Sequence, residues 1–168
     1  MKNRKTVFIG VMAAVISAVS VWQIPLPFGV PFTFQVLAVA LSGYVLGAGG
    51  GSIAVCVYLA LGAVGAPVFS GFAGGVATLA GPTGGFLLGF LPLCALCGVG
   101  RNKGSLAGLL FGALGLIFCH LTGVAYYMIA TGSSLLASLL SVSLPYLPKD
   151  MILVAAAYFA SIPIRKAT

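Results

Sequence analysis

The stretch Ser105–Ala130, SLAGLLFGALGLIFCHLTGVAYYMIA, runs for 26 residues without a Lys, Arg, Asp or Glu. A helix crosses the apolar core of a bilayer with about 20 such residues. Backbone N–H and C=O groups in lipid must bond internally, which leaves helices or closed barrels. The run does not alternate with period two, so it reads as a helix. The fold class follows from this segment: an all-α integral membrane protein.

The rest of the chain agrees. Of its 168 residues, 61% are hydrophobic and 5% charged, against about 25% charged in a soluble domain. There is room for a single transmembrane domain over residues 1–168 and for no water-facing one. The net charge of +7 does not point to nucleic acid. The cations stand at the ends of apolar runs, where membrane topology places them.

Gly, Pro and cations divide the apolar sequence into six predicted helices: about Thr6–Trp22, Phe34–Leu46, Ser52–Val64, Gly84–Gly98, Ser105–Ala130 and Lys149–Ile162. Gly47–Gly51 is a tight turn, and Ser133–Val142 carries a candidate short helix. Several of these segments are short for a full crossing. With a cytoplasmic N-terminus, six crossings put Arg101, Lys103, Arg165 and Lys166 on the same side as Lys2, Arg4 and Lys5, as the positive-inside tendency requires. Both termini are then expected in the cytoplasm, in the plasma membrane. Three irregular connections fall on the opposite side: Gln23–Thr33 with its prolines, Gly65–Thr83, and Leu144–Lys149. Irregular backbone at membrane depth is tolerated where it lines a cavity. These loops are expected to fold inward over a site.

The only acidic residue, Asp150, opens the last helix on that side. Ionisable groups at membrane depth are costly and mark functional sites. Asp also suits a helix N-terminus, so helix start and ligand acceptor are both open readings. Lys149 is its natural neighbour. Gly81-Pro82-Thr83-Gly84-Gly85 lacks the Gly-Lys-Ser/Thr of a phosphate loop, and reads as a turn or as backbone close to a ligand. Gly10, Ala14 and Ala18 form a small-residue face on the first helix, suited to packing within the bundle or to docking a partner. Cys94 and Cys97 have redox-like spacing, but the four cysteines lie in apolar runs and read as small buried hydrophobes. One histidine, His120, and one Asp are too few for a metal site. No catalytic pair is present, so no enzyme and no cofactor are expected.

These features together resemble the BioY family, the substrate-binding S components of energy-coupling factor (ECF) vitamin transporters. The residues that carry the resemblance are Pro31-Phe32-Thr33-Phe34-Gln35, the run Tyr58 to Phe69, the block Gly81 to Phe90, and Pro145 to Asp150. The resemblance implies six transmembrane helices and capture of biotin from outside. It also implies a coupling transmembrane subunit and ATP-binding cassette ATPases on other chains, with Gly10, Ala14 and Ala18 as the docking face. Gln23–Thr33 would be the gate, with Pro27, Pro31, Thr33 and Gln35 at its edges.

The family pattern has Gly-Asp, with a Lys three residues after the Asp. Here Lys149 replaces the Gly and Leu153 occupies the Lys position. Lys149 lies one helical turn from the absent ammonium and is the expected replacement for its charge; the alternatives are a ligand without that carboxylate, or one that binds it differently. Biotin offers ureido N–H donors, an apolar ring and an anionic tail. Asp150 is the expected acceptor of an N–H. Tyr58, Phe69, Phe86 and Tyr146 would enclose the ring. Thr83 and the backbone of Gly74, Gly75 and Gly84 would approach it closely. The alternatives are a self-sufficient biotin carrier, proton-coupled at Asp150 or facilitative, and a membrane thiol oxidoreductase using Cys94 and Cys97.

Overall fold

A computed structural model describes residues 2–24 and 31–167. Helix α1, Lys2–Ser20, leads to a two-stranded antiparallel ribbon of β1, Gln23–Ile24, and β2, Phe32–Thr33. Helix α2, Gln35–Ala63, follows. A 3₁₀ turn at Ser70–Phe72 and the short α3, Val76–Ala80, occupy the next connection. Helix α4 is Gly84–Gly100 and α5 is Ser105–Thr131. A short α6, Leu135–Ser138, runs into a π-helical turn, Leu139–Ser143, and α7, Leu147–Ala167, closes the chain.

Helix α2 is two helical arms that meet at a sharp break. At Gly47 the backbone turns to φ 76°, ψ 172°, a conformation that glycine adopts without steric cost. In a straight helix residues eight apart are about 12 Å apart. Yet a Cβ placed on Gly51 would lie 2.9 Å from the Cα of Gly43. Gln35, at the start of the helix, donates from Nε2 to the Tyr58 hydroxyl 23 residues on. The two arms, 35–46 and 48–63, therefore fold back on each other as a hairpin. The sequence predicts a five-residue turn; the structure confines it to Gly47, because Gly49, Gly50 and Gly51 keep helical geometry.

Small residues let the helices approach closely, as expected where lipid supplies no hydrophobic drive to associate. A Cβ on Gly43 would lie 2.2 Å from the Cys94 carbonyl oxygen, so α2 rests on the backbone of α4. Tyr44 packs edge-on to Tyr158 of α7, with ring centres 5.1 Å apart, and donates to the Gly108 carbonyl of α5. Ser17, Ser20 and Ser42 bond back to the carbonyl four residues earlier, which keeps their hydroxyls satisfied without water.

The outside is as apolar as the inside. Leu110, Ile129 and Ile152 are 60%, 83% and 69% exposed, an arrangement that water would penalise and lipid accepts. Among the described residues three helical runs have the length and apolarity of a membrane crossing: Gln35–Ala63, which the break at Gly47 divides, Ser105–Thr131 and Leu147–Lys166. Helices α1 and α7 both start earlier than the sequence pattern suggests, at Lys2 and Leu147, since basic and proline residues are tolerated in a first or last turn. One end of the bundle gathers cations. Lys5 reaches Gly50, Arg101 packs at Gly47, and Arg165 donates to the Arg101 carbonyl. Burial, and then the neighbouring Arg165, push the Arg101 guanidinium below its usual range.

Close packing at Gly43 and open space at Gly49 predict opposite responses. Gly43→Ala is expected to destabilise the purified protein by about 2 kcal/mol or more through overpacking. At Gly49 nothing lies within 4 Å of an added Cβ, so Gly49→Ala is expected to be neutral or to stabilise by up to about 1 kcal/mol. Thermal melts in detergent compare the two; equal midpoints would contradict the hairpin packing.

Candidate functional site

At the end opposite the cationic cluster, the bundle encloses a cavity of about 290 Å³, close to the lower end of small-molecule pockets at roughly 300 Å³. Each wall comes from a different element. Pro31 and Thr33 stand at the ribbon, Gln35 and Val36 at the head of α2, and Phe69 in the following connection. Thr83 caps the start of α4, Phe86, Leu87 and Phe90 come from α4, Cys119 and His120 from α5, and Val142 from the π turn. Tyr146, Lys149 and Asp150 complete the wall at the entry to α7.

Asp150 lies in the first turn of α7, where the helix dipole favours an anion. It is only 5% exposed. Its Oδ1 lies 2.8 Å from the Lys149 ammonium, and its Oδ2 lies 3.4 Å from His120 Nε2. The carboxylate is thus paired with Lys149, one of the partners the sequence offers, and also meets His120, which the sequence does not indicate. The Lys149 contact is an ion pair by distance but is not aligned as a hydrogen bond, and Oδ1 has no hydrogen-bond donor among the described residues. A buried acceptor in this state is costly and can receive an N–H from a ligand.

Lys149 has further partners. Its Nζ donates to the Thr33 carbonyl at 2.9 Å and lies 4.4 Å from the centre of the Phe32 ring. One side chain therefore bridges the carboxylate to β2. Burial, and then the Asp150 charge, push the Tyr146 phenol above its usual value, so its O–H stays protonated at neutral pH.

The remaining predicted residues divide by position. Pro31, Thr33, Gln35, Phe69, Thr83, Phe86, Tyr146, Lys149 and Asp150 line the cavity. Tyr58 stands behind it, fully buried, holding the Gln35 amide and meeting Phe69 edge-on at 5.4 Å. Gly74, Gly75 and Gly84 are outside the wall, and their backbones serve the loop instead. Gly74 crosses the Ala66 carbonyl, Gly75 donates to Gly62, and Gly84 abuts the Leu79 carbonyl. Pro27 lies outside the described residues. Gly10, Ala14 and Ala18 lie together on the exposed side of α1, while Met12, Ala13 and Ile16 face the core. Cys94 and Cys97 are buried against α2, away from the cavity. Among the described residues no three His, Cys, Asp or Glu side chains converge.

Sequence reasoning missed His120 and Phe90 as wall residues. Phe90 follows Phe86 by four, so helical periodicity alone places both on one face. His120 carries no comparable local signal.

Removing one member of a buried ion pair strands the other charge, at a cost of about 3 kcal/mol or more. Lys149→Met is therefore expected to lower the thermal midpoint well below that of Lys103→Met, and to speed hydrogen exchange at Phe32 and Thr33. Unchanged exchange at those amides would separate Lys149 from the ribbon.

A model of the BioY family matches residues 1–168. A protein of Thermotoga maritima named biotin transporter BioY is 51% identical over 89 residues, which is 52% of each chain. A biotin transporter BioY of Lactococcus lactis subsp. cremoris is 33% identical over 138 residues, covering 77% of this chain and 72% of the relative. The chain spans about half the length of the first of these curated relatives and nearly three quarters of the second. A crystal structure of the S-component for biotin from an ECF-type ABC transporter superposes with a TM-score of 0.90 at 28% identity, covering 98% of this chain and 92% of that one. A membrane-embedded helical bundle with this cavity and these relatives belongs to the BioY family.

Proposed function

We propose that this protein is the biotin-capturing component of an ECF-type uptake system. In this reading the ligand enters the cavity and donates a ureido N–H to Asp150 Oδ1. The observation that carries it is that oxygen: buried, charged, in a cavity wall, with an ammonium beside it but no aligned hydrogen bond among the described residues. Phe69, Phe86 and Phe90 supply the apolar wall for the thiophane ring. Such a division, mostly apolar with a few placed polar groups, is typical of small-molecule sites.

The anionic tail of biotin finds its counter-charge in Lys149, which takes the part of the ammonium absent at Leu153. Leu153 is buried in the core cluster. Taking up the ligand carboxylate draws the ammonium from the Thr33 carbonyl, so occupancy and the position of the ribbon are coupled through one side chain. The segment Gln23–Thr33 acts as the gate.

The chain crosses the plasma membrane six times: α1, the two arms of α2, α4, α5 and α7. Arm 35–46 is about 18 Å long and is completed by the ribbon and loops folded in at the cavity end. Clustering of Lys5, Arg101 and Arg165 at the opposite end supports cytoplasmic termini by the positive-inside tendency. The cavity then opens outward.

Energy comes from other chains, a coupling transmembrane subunit and ATP-binding cassette ATPases, since this sequence has no phosphate loop. The exposed face of Gly10, Ala14 and Ala18 is the docking surface. Nothing lies within 4 Å of an added Cβ at Gly10, so this small-residue stripe is not consumed by packing within the bundle.

Equilibrium dialysis with labelled biotin tests the site. Asp150→Asn is expected to weaken binding by roughly tenfold to a few hundredfold, the worth of a hydrogen bond to a charged group. Wild-type affinity in a folded Asp150→Asn protein would remove the carboxylate from the mechanism. Ala14→Trp tests the docking face: biotin binding stays intact while ATP-dependent uptake by the full complex is lost. Uptake at the wild-type rate would assign that face to lipid.

A further inference from the structure

Three buried polar side chains form a line from the cavity wall into the protein. Asp150 Oδ2 lies 3.4 Å from His120 Nε2, and His120 Nδ1 lies 2.9 Å from Ser143 Oγ. They are 5%, 6% and 5% exposed. The imidazole is also held edge-on against Phe86, at 5.7 Å and 88°. Ser143 is brought to this position by the π-helical turn Leu139–Ser143, in which Leu144 N–H reaches back to the Leu139 carbonyl at 2.9 Å. Such turns are rare and concentrate at functional sites.

For a neutral imidazole the donor pattern along this line has one consistent solution. A carboxylate only accepts, whereas a neutral imidazole donates from one nitrogen and accepts at the other. The nitrogen facing Asp150 must carry the hydrogen, which makes His120 the Nε2–H tautomer. Nδ1 is then an acceptor and takes the Ser143 O–H. The hydrogen bond made by the far nitrogen is what selects the tautomer of a histidine.

We propose that His120 is a positioning residue for ligand capture, with Ser143 setting its tautomer. His120 engages Oδ2 and fixes the carboxylate plane, so that Oδ1 alone is offered to an N–H donor in the cavity. The selectivity that follows is for a ligand with a single N–H aimed at Oδ1, and against one needing both oxygens. This proposal rests on the biotin reading only for its ligand; the tautomer is a property of the free protein.

His120 is the only histidine in the chain, so protein labelled with ¹⁵N-histidine gives one pair of ring-nitrogen resonances. In ligand-free protein at neutral pH, Nε2 is expected to appear protonated and Nδ1 as an unprotonated acceptor. Ser143→Ala is expected to release the ring into a mixture of tautomers. A wild-type Nδ1–H, in the other tautomer or in an imidazolium, overturns the proposal.

Dialysis supplies the functional arm. His120→Ala is expected to weaken biotin binding about tenfold, but to add less than twofold in an Asp150→Asn background. Full additivity of the two changes overturns a role exercised through Asp150. If Asp150→Asn alone leaves biotin affinity unchanged, the biotin reading falls, while the tautomer measurement still decides the hydrogen-bond line.

Discussion

A carboxylate withdrawn from water must recover its solvation from the protein, and the cavity end of this molecule is arranged around that requirement. Lys149 neutralises Asp150 from the same helix turn, and His120 meets it from α5. Lys149 also grips the Thr33 carbonyl, 116 residues earlier in sequence. One charge thus ties together β2, α5 and the entry to α7. An apolar residue at position 150 would remove the reason for all three to converge.

The scaffold that holds this junction works by backbone proximity. The reversal at Gly47 lets two short arms replace one long helix, and brings Gln35 and Tyr58 to the same level. Phe69 then rests on Gly62, with no room for a Cβ between them, and its ring is fixed against Tyr58. The aromatic wall is set from behind by residues that never reach the cavity. With hydroxyls bonded and small side chains at the helix contacts, Asp150 Oδ1 is the one buried side-chain atom of that wall without an aligned hydrogen bond among the described residues.

The long elements were legible because each announces itself locally. The run from Ser105 needs only its length and lack of charge to read as a helix, and the structure ends it at Thr131, one residue beyond expectation. The glycine cluster after Leu46 signals a reversal, though not that Gly47 alone performs it. Asp150 is conspicuous by being the sole acid. What could not be read is pairing over distance. Nothing near Lys149 in sequence points to Thr33, and nothing near His120 points to Ser143 or Asp150. The same limit explains why Tyr58 reads as a cavity residue although it stands behind Gln35. The π turn is invisible for another reason: Leu139–Ser143 has ordinary helical composition, and its extra residue per turn is set by what it packs against.

A molecule with one acidic side chain has one place where carboxyl chemistry can occur. An apolar carbodiimide, which partitions into the bilayer, would find a single side-chain target here, and that target lies in the wall of a cavity. Covalent modification at that point becomes a count of empty sites, read as a change of mass: the reagent's mass gained where the activated acyl group rearranges to an N-acylurea, or one water lost where the neighbouring Lys149 amine captures it and the urea departs. Protection from it becomes a titration of occupancy that needs no isotope on the ligand.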